Sequence, residues 1–409
     1  MTQAFSDMLY LFSCAAHGIC PVEKEYSDID EVFQKAVKQS VLPLVLMSVK
    51  QLYKGDMIIQ GQTLNSHIHN LRLMIINNTQ RNAIVYNAVK QLTDNGIPCC
   101  VLKGDTVANL YANPDCRISS DTDIYIDDEK MIKKAVKILK CHSFEFRKKY
   151  SNSHHFQAYH KIAGLLELHC HLHDELFTDI WFDNQTVLTE PYRAVRTHFD
   201  NELPALGITD GIILLCLHFI KHFLSGGTGV RQLMDVLLYI KKYKNEIDYK
   251  KFSELIHYLK YNKFFDAMMG IGVKYLGFAK EDLYPFTYDE IIFGKILSDI
   301  EDGGLFGKGE LWRKSFYVVY SQQRFGRFKD GDYAKHINKW KMRNFFALFF
   351  MNRKSMEKKY PYIIKYGFLL PVAWLHRAIE LLIGKKNNDN SHTDEIAARM
   401  DLIRELDMI

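Results

Sequence analysis

The sequence predicts an α+β protein, with a block of short strands set between two helical regions. Two observations carry this. Apolar residues recur at helical spacing before about residue 94 and again after about residue 210. Between those limits lie short runs that alternate apolar and polar residues or are bounded by Gly, Asn and Pro.

Taken in order, residues 1–94 read as helices. The clearest is 79–93, where Ile84, Val85, Ala88, Val89 and Leu92 form one apolar stripe, and Asn95-Gly96 supplies the residues that close a helix. A strand is expected over 98–103, with Gly104 turning the chain into a short helix begun by Asp105. Asn113-Pro114-Asp115 reads as a loop and 117–126 as the next strand. An amphipathic helix is expected over 128–139, with Ile132, Val136 and Leu139 facing inward. Strands over 144–150, 156–160 and 165–172 complete the sheet, the last two joined by a short turn at 161–164. Helices return with the strongly apolar 212–224, a flexible loop at 225–229, and 230–243. A Gly-rich break at 302–307 precedes a basic, aromatic C-terminal region; 385–393 reads as a polar loop before a last amphipathic helix. The expected organisation is a helical region 1–94, a core 95–200, a helical bundle 201–300 that completes its cleft, and a C-terminal region 301–409.

Composition narrows the class. A chain of 409 residues can hold two or three domains with cores of their own. Its 47% hydrophobic and 25% charged residues exclude a disordered chain, and a net charge of +5 selects no partner. The eight cysteines form no CxxC pair, and several lie in apolar runs, as Cys99, Cys100 and Cys216 do, which suits reduced core residues. The N-terminus lacks a basic leader segment and carries Asp7 within its apolar stretch. No uncharged apolar run reaches the roughly 18 residues of a spanning helix. The expected location is cytoplasmic.

The chemistry concentrates at three places. Asp121 and Asp123 are two residues apart on one strand and so share a face, while Ile124 and Ile126 fall on the other. Glu167, between Leu166 and Leu168, is a third carboxylate on an apolar strand. Such an oxygen-rich set suits Mg²⁺ (or Mn²⁺). Lys103-Gly104, at a turn into a helix, supplies a cation and backbone N–H groups for phosphates. Together these are parts of a two-metal phosphoryl-transfer site. The plainer reading makes each carboxylate a solvated strand residue. A buried pair without a cation would repel itself, so amide replacement at Asp121 or Asp123 is expected to leave stability level or raise it slightly. His169, His171 and His173 share the face of Glu167 if its strand persists, and His154, His155 and His160 precede them. That cluster leaves a zinc or di-metal hydrolase as an alternative, with His169 otherwise supporting the carboxylates. Ser225 to Gly229 lacks the Gly-Lys-Ser/Thr ending of a phosphate loop and follows no strand.

Leu102-Lys103-Gly104, Tyr111, Arg117, Asp121-x-Asp123 and Glu167-Leu168-His169 together resemble a large bacterial group of mostly uncharacterised nucleotidyltransferases in the DNA polymerase β-like superfamily. The resemblance implies a small mixed palm-type sheet flanked by helices and an NTP donor. It implies Asp121, Asp123 and Glu167 as catalytic metal ligands. It also implies Lys103, Gly104 and Arg117 as groups that grip or neutralise the phosphates. His222, Arg231 and Asp235 resemble the group's helical "H…R…D" portion, which would line the nucleotide or acceptor pocket; helix packing and capping is the other reading. Lys103-Gly104 stands where the wider superfamily has Gly-Ser or Gly-Gly.

The function expected is a Mg²⁺-dependent transfer of NMP from an NTP to an acceptor, with release of pyrophosphate. A nucleotide-binding scaffold that has lost turnover is the alternative. Small molecules, sugars or proteins suit as acceptors; without a dense basic stripe bearing aromatics, a long nucleic acid is disfavoured. The basic, aromatic stretch 341–386 could lie on a membrane surface, but a buried helical subdomain is the preferred reading.

Overall fold

A computed structural model describes residues 1–119, 121–146, 155–170, 189–304, 320, 356, 360, 362–383 and 389–408. The chain divides into two compact units, Met1–Glu310 with Glu405–Met408, and Leu311–Arg404 with Ile409.

The first unit begins with α1 (Gln3–His17), α2 (Ile29–Lys38) and α3 (Leu42–Leu52). Helix α1 is buried almost all round, and its buried Asp7 is satisfied by Lys24 Nζ at 2.8 Å and by the backbone and hydroxyl of Ser27. A two-residue hairpin follows, β1 (Ile58–Ile59) and β2 (Gln62–Thr63), turning through Gln60 and Gly61 at φ 50° and 75°. Thr63 then caps α4 (Leu64–Asp94) by accepting a hydrogen bond from Ser66 N at 3.2 Å. At 31 residues α4 is twice the length expected from the apolar stripe, because its first half is mostly exposed and carries no stripe. Gly96, at φ 71°, lets the chain leave the helix as expected.

The sheet runs in the order β3 (Cys100–Val101), β4 (Asp121–Tyr125), β7 (Gly164–His169), β6 (His155–His160), β5 (Glu145–Phe146). Strands β4 and β7 are parallel and every other pair is antiparallel, so the sheet is mixed. Between strands lie α5 (Asp105–Ala108) and α6 (Glu129–Cys141), the latter capped by Asp128. One sheet face packs Ile124, Leu166, Leu168 and Ala158 against Val85, Val89 and Leu92 of α4 and Ile132, Ala135 and Leu139 of α6. Each of these large apolar side chains contributes about 1.5–3 kcal/mol by leaving water, and the alternation that buries them turns the carboxylates to the opposite face.

That opposite face is covered at one end by Tyr125, Cys100, Leu206 and Leu214. Leu214 belongs to α7 (Ile208–Ser225), which follows the hairpin β8 (Arg193–Arg196) and β9 (Glu202–Ala205). By length and composition α7 could cross a membrane, but most of it is buried inside this unit. Then come α8 (Val230–Tyr243), α9 (Tyr249–Tyr258), α10 (Asn262–Tyr275) and α11 (Glu290–Gly303).

The helical regions on either side of the sheet join each other. Gln39 donates to Ile300 O at 2.8 Å and accepts from Val230 N at 3.0 Å, and His17 meets Leu276 O at 2.8 Å. Glu301 accepts from Thr2 N, Thr2 Oγ1 and Lys35 Nζ. In the second unit, α12 (Tyr362–Lys365) and α13 (Leu370–Ile383) share a cluster of Met356, Tyr360, Ile363 and Ala373. The last helix, α14 (Asp389–Glu405), begins inside the stretch expected to be a polar loop. Most of the basic, aromatic run before residue 361 lies outside the described residues.

Candidate active site

The register of β4 and β7 builds the site. Asp123 stands opposite Glu167 and Tyr125 opposite His169, so Asp121, Asp123, Glu167 and His169 project from one face of neighbouring strands. Glu167 in turn stands opposite Gln157 on β6, whose Nε2 donates to Glu167 Oε1 at 2.7 Å. Strand β3 delivers the lysine: Leu102 N donates to Asp123 O at 3.0 Å, which sets Lys103 beside the aspartates.

His169 Nε2 lies 3.0 Å from Asp123 Oδ1 and 3.6 Å from Glu167 Oε2. Burial alone would lower the basicity of this imidazole. The hydrogen bonds and negative charge of Asp123 and Glu167 outweigh that and push its pKa up to about 9. Asp123 shows the converse balance. Burial opposes its charge, but Lys103 and the His169 hydrogen bond hold its pKa below the usual carboxylate range. Lys103 Nζ is 3.0 Å from Asp123 Oδ2, 3.9 Å from Asp121 Oδ2 and 3.1 Å from His218 Nε2 on α7. Burial and the neighbouring Lys103 charge drive the pKa of His218 far down, so its imidazole is neutral and can accept.

The aspartates are thus supplied with cations by the chain itself. The repulsion expected of an isolated carboxylate pair is absent for Asp123, which changes the sign of the predicted effect of removing its charge.

Arginines hold the segment that leads into β4. Of the expected strand over 117–126, Asp121–Tyr125 is a strand and 117–119 are not, side chains taking up their backbone groups; Ser120 lies outside the described residues. Arg81, on the apolar stripe of α4, donates to Ser119 O at 2.6 Å, Thr122 Oγ1 at 2.7 Å and Ala163 O at 3.1 Å. Arg231 Nη1 donates to Ile118 O. Arg117 makes a two-pronged pair with Asp235, Nε to Oδ1 at 3.0 Å and Nη2 to Oδ2 at 2.7 Å, and Tyr111 Oη donates to Oδ1 at 2.8 Å. Burial opposes the charge of Arg117, yet Asp235 holds its pKa above the ordinary arginine value.

The structure therefore brings Asp123 and Glu167 together with His169, and links Asp121 to them through Lys103. Arg117 and Asp235 pair with each other through Nε and Nη2, while Arg117 Nη1 is buried without a hydrogen-bond partner among the described residues. The His222 ring packs edge-on against His218 at 4.4 Å between centroids. Gly104 is at φ 84°, a conformation open to glycine. His154, His171 and His173 lie outside the described residues. The sequence reading missed Arg81, Gln157 and His218. An arginine inside an apolar stripe and a second histidine four residues before His222 were the available signals.

One ligand atom from each of Asp123, Glu167 and His169 falls within 4.8 Å of the others, close enough to hold a metal ion. The residues also fit a divalent cation by a second criterion. Among the described residues Asp123 Oδ2 is buried without a hydrogen bond and lies 3.0 Å from the Lys103 ammonium.

Residues 25–277, well over half of the chain, match the model of a family described as uncharacterised nucleotidyltransferases. The chain belongs to that family. No curated protein and no solved structure matches it. The family segment contains every residue of the site, from Arg81 through the carboxylates to Asp235, and general nucleotidyl transfer is the activity its family supports. As an α+β nucleotidyltransferase, the protein has its possible metal-holding residues on the mixed sheet.

Proposed function

We propose that the protein is a Mg²⁺-dependent (or Mn²⁺-dependent) nucleotidyltransferase that moves an NMP from an NTP to an acceptor other than a long nucleic acid and releases pyrophosphate. The observation that carries this is the in-register pairing of Asp123 and Glu167 on parallel strands, with Asp121 on the same face and Lys103 against them. The mixed sheet would serve as a polymerase β-like palm.

Asp121 and Asp123 would hold two divalent ions, and Glu167 would serve the one on the acceptor side. Once bound, the ions would neutralise phosphate charge and make the acceptor hydroxyl a better nucleophile. Lys103, with the backbone at Gly104, neutralises and grips the β- and γ-phosphates. Glu167 takes the proton of the acceptor hydroxyl as its oxygen attacks the α-phosphorus. The α–β bridging P–O bond breaks, and pyrophosphate leaves with the bonding electrons. Gln157 and His169 fix the two oxygens of Glu167, so the base is pre-positioned. Arg117, Asp235 and Arg231 act from behind by holding the approach to β4, and His222 packs behind His218. The rate gain then comes from positioning and charge stabilisation.

The imidazole in the carboxylate cluster also suits a softer ion, which keeps metal-dependent hydrolysis as a second reading. Pyrophosphate release from each NTP, measured with Mg²⁺, Mn²⁺, Zn²⁺ or EDTA, separates the two. Release from NTP with Mg²⁺ or Mn²⁺ and labelling of an acceptor is expected. Zn²⁺-dependent hydrolysis without nucleotide transfer would replace it.

A further inference from the structure

Lys103 contacts two kinds of acceptor at once. Its ammonium lies 3.0 Å from Asp123 and 3.9 Å from Asp121, and also 3.1 Å from the imidazole of His218. A divalent ion cannot take the same Asp123 oxygen while an ammonium sits against it, because two cations at that spacing repel strongly. An entering ion must therefore displace Lys103. The lysine stem is flexible, and its partly buried head needs an acceptor wherever it goes. His218 is already within hydrogen-bond reach, and a triphosphate would offer a stronger acceptor. Asp123 loses nothing else when Lys103 moves, since Oδ1 keeps its contact with His169 at 3.0 Å.

We propose that Lys103 is a built-in competitor of the divalent ion for Asp121 and Asp123, drawn off by the nucleotide triphosphate with His218 as its second acceptor, so that metal is taken up with nucleotide and not alone. The proposal rests on the metal-dependent reading given above. Lys103 is then both a phosphate contact and the group that makes metal affinity depend on nucleotide. His218 is a positioning residue that acts through it.

The test is Mn²⁺ binding, followed by the EPR signal of the free ion, with and without the non-hydrolysable nucleotide α,β-methylene-ATP. Wild type, K103M, H218L and H218Q are compared after thermal melts show that each is folded. Methionine keeps the stem of Lys103 and removes its charge. K103M should bind Mn²⁺ alone at least tenfold more tightly than wild type, and nucleotide should strengthen Mn²⁺ binding much less than it does in wild type. H218L should bind Mn²⁺ alone about threefold more weakly, since the ammonium is left to the carboxylates. H218Q, which restores an acceptor, should return to the wild-type value; a purely packing role for His218 would not give that rescue. Equal or weaker binding of Mn²⁺ alone by K103M, with metal–nucleotide binding intact, overturns the competition. Absence of Mn²⁺ binding in every protein, with or without nucleotide, overturns the metal-dependent reading, and the competition falls with it.

Discussion

Replacing Arg117 by methionine separates a brace from a phosphate contact. Arg117 and Asp235 are 5% and 4% exposed and make two charge-assisted hydrogen bonds, with Tyr111 Oη donating to the same carboxylate. Methionine fills most of the arginine stem but leaves the Asp235 carboxylate buried, with the Tyr111 hydroxyl donating to it and the Arg231 charge nearby. Breaking a buried pair from one side costs about 3–5 kcal/mol. The remaining Tyr111 hydrogen bond places the expected loss near the lower end, at about 3 kcal/mol. Urea unfolding followed by circular dichroism measures it. The double variant R117M/D235L should lose less than the two single variants summed, by roughly 1–3 kcal/mol, because neither member of the pair is left buried without the other. If R117M stays within about 1 kcal/mol of wild type yet loses nucleotide affinity, the brace is wrong and Arg117 faces the phosphates.

Three further outcomes follow from the same geometry. Asp123→Asn should lower turnover by roughly 10²-fold or more. It should also lower stability, by about 1.5–3 kcal/mol in chemical denaturation, because Lys103 and His169 lose their shared anion; unchanged or increased stability would show that the pair is not formed in solution. Glu167→Gln should reduce transfer by roughly 10²–10⁴-fold while Mg²⁺–nucleotide affinity holds, measured by pyrophosphate release beside calorimetry; normal turnover would move the base elsewhere. Glu301 is buried, which alone would raise its pKa, but hydrogen bonds from Lys35 and Thr2 bring it below its ordinary value near 4.5. Its contribution to stability is therefore complete above that value and fades as pH falls through the lower folded pKa. Wild type should exceed E301Q in melting temperature at pH 6 and lose that margin towards pH 3; a margin that is constant with pH would contradict the assignment.

What was legible in the sequence was local. The period-two alternation around Asp121-Thr122-Asp123-Ile124 and Leu166-Glu167-Leu168 forces the carboxylates to one face and the aliphatics to the other, and the sheet reproduces it. The helix starting after Asp128 and the one over Val230–Tyr243 were likewise set by caps and stripes. The extent of α4 was not legible, because residues from Leu64 onward are held by a Thr63 cap and the hairpin before it and not by an apolar stripe. Ile118 and Ser119 stand outside the strand their sequence suggests, their carbonyls bonded by Arg231 and Arg81, which are distant in sequence. The partnership of Lys103 with His218 spans 115 residues, and no local pattern encodes it. The same holds for Gln39, which ties the N-terminal helices to those after residue 230.

Asp121 and Asp123 are expected to bind nucleotide through a divalent ion. Calorimetric titration with α,β-methylene-ATP, in Mg²⁺ and then in EDTA, tests it most directly. Binding in Mg²⁺ should fall at least about a hundredfold in EDTA, a loss of about 2.7 kcal/mol, since phosphates and carboxylates then repel. Equal affinity in the two buffers would contradict it.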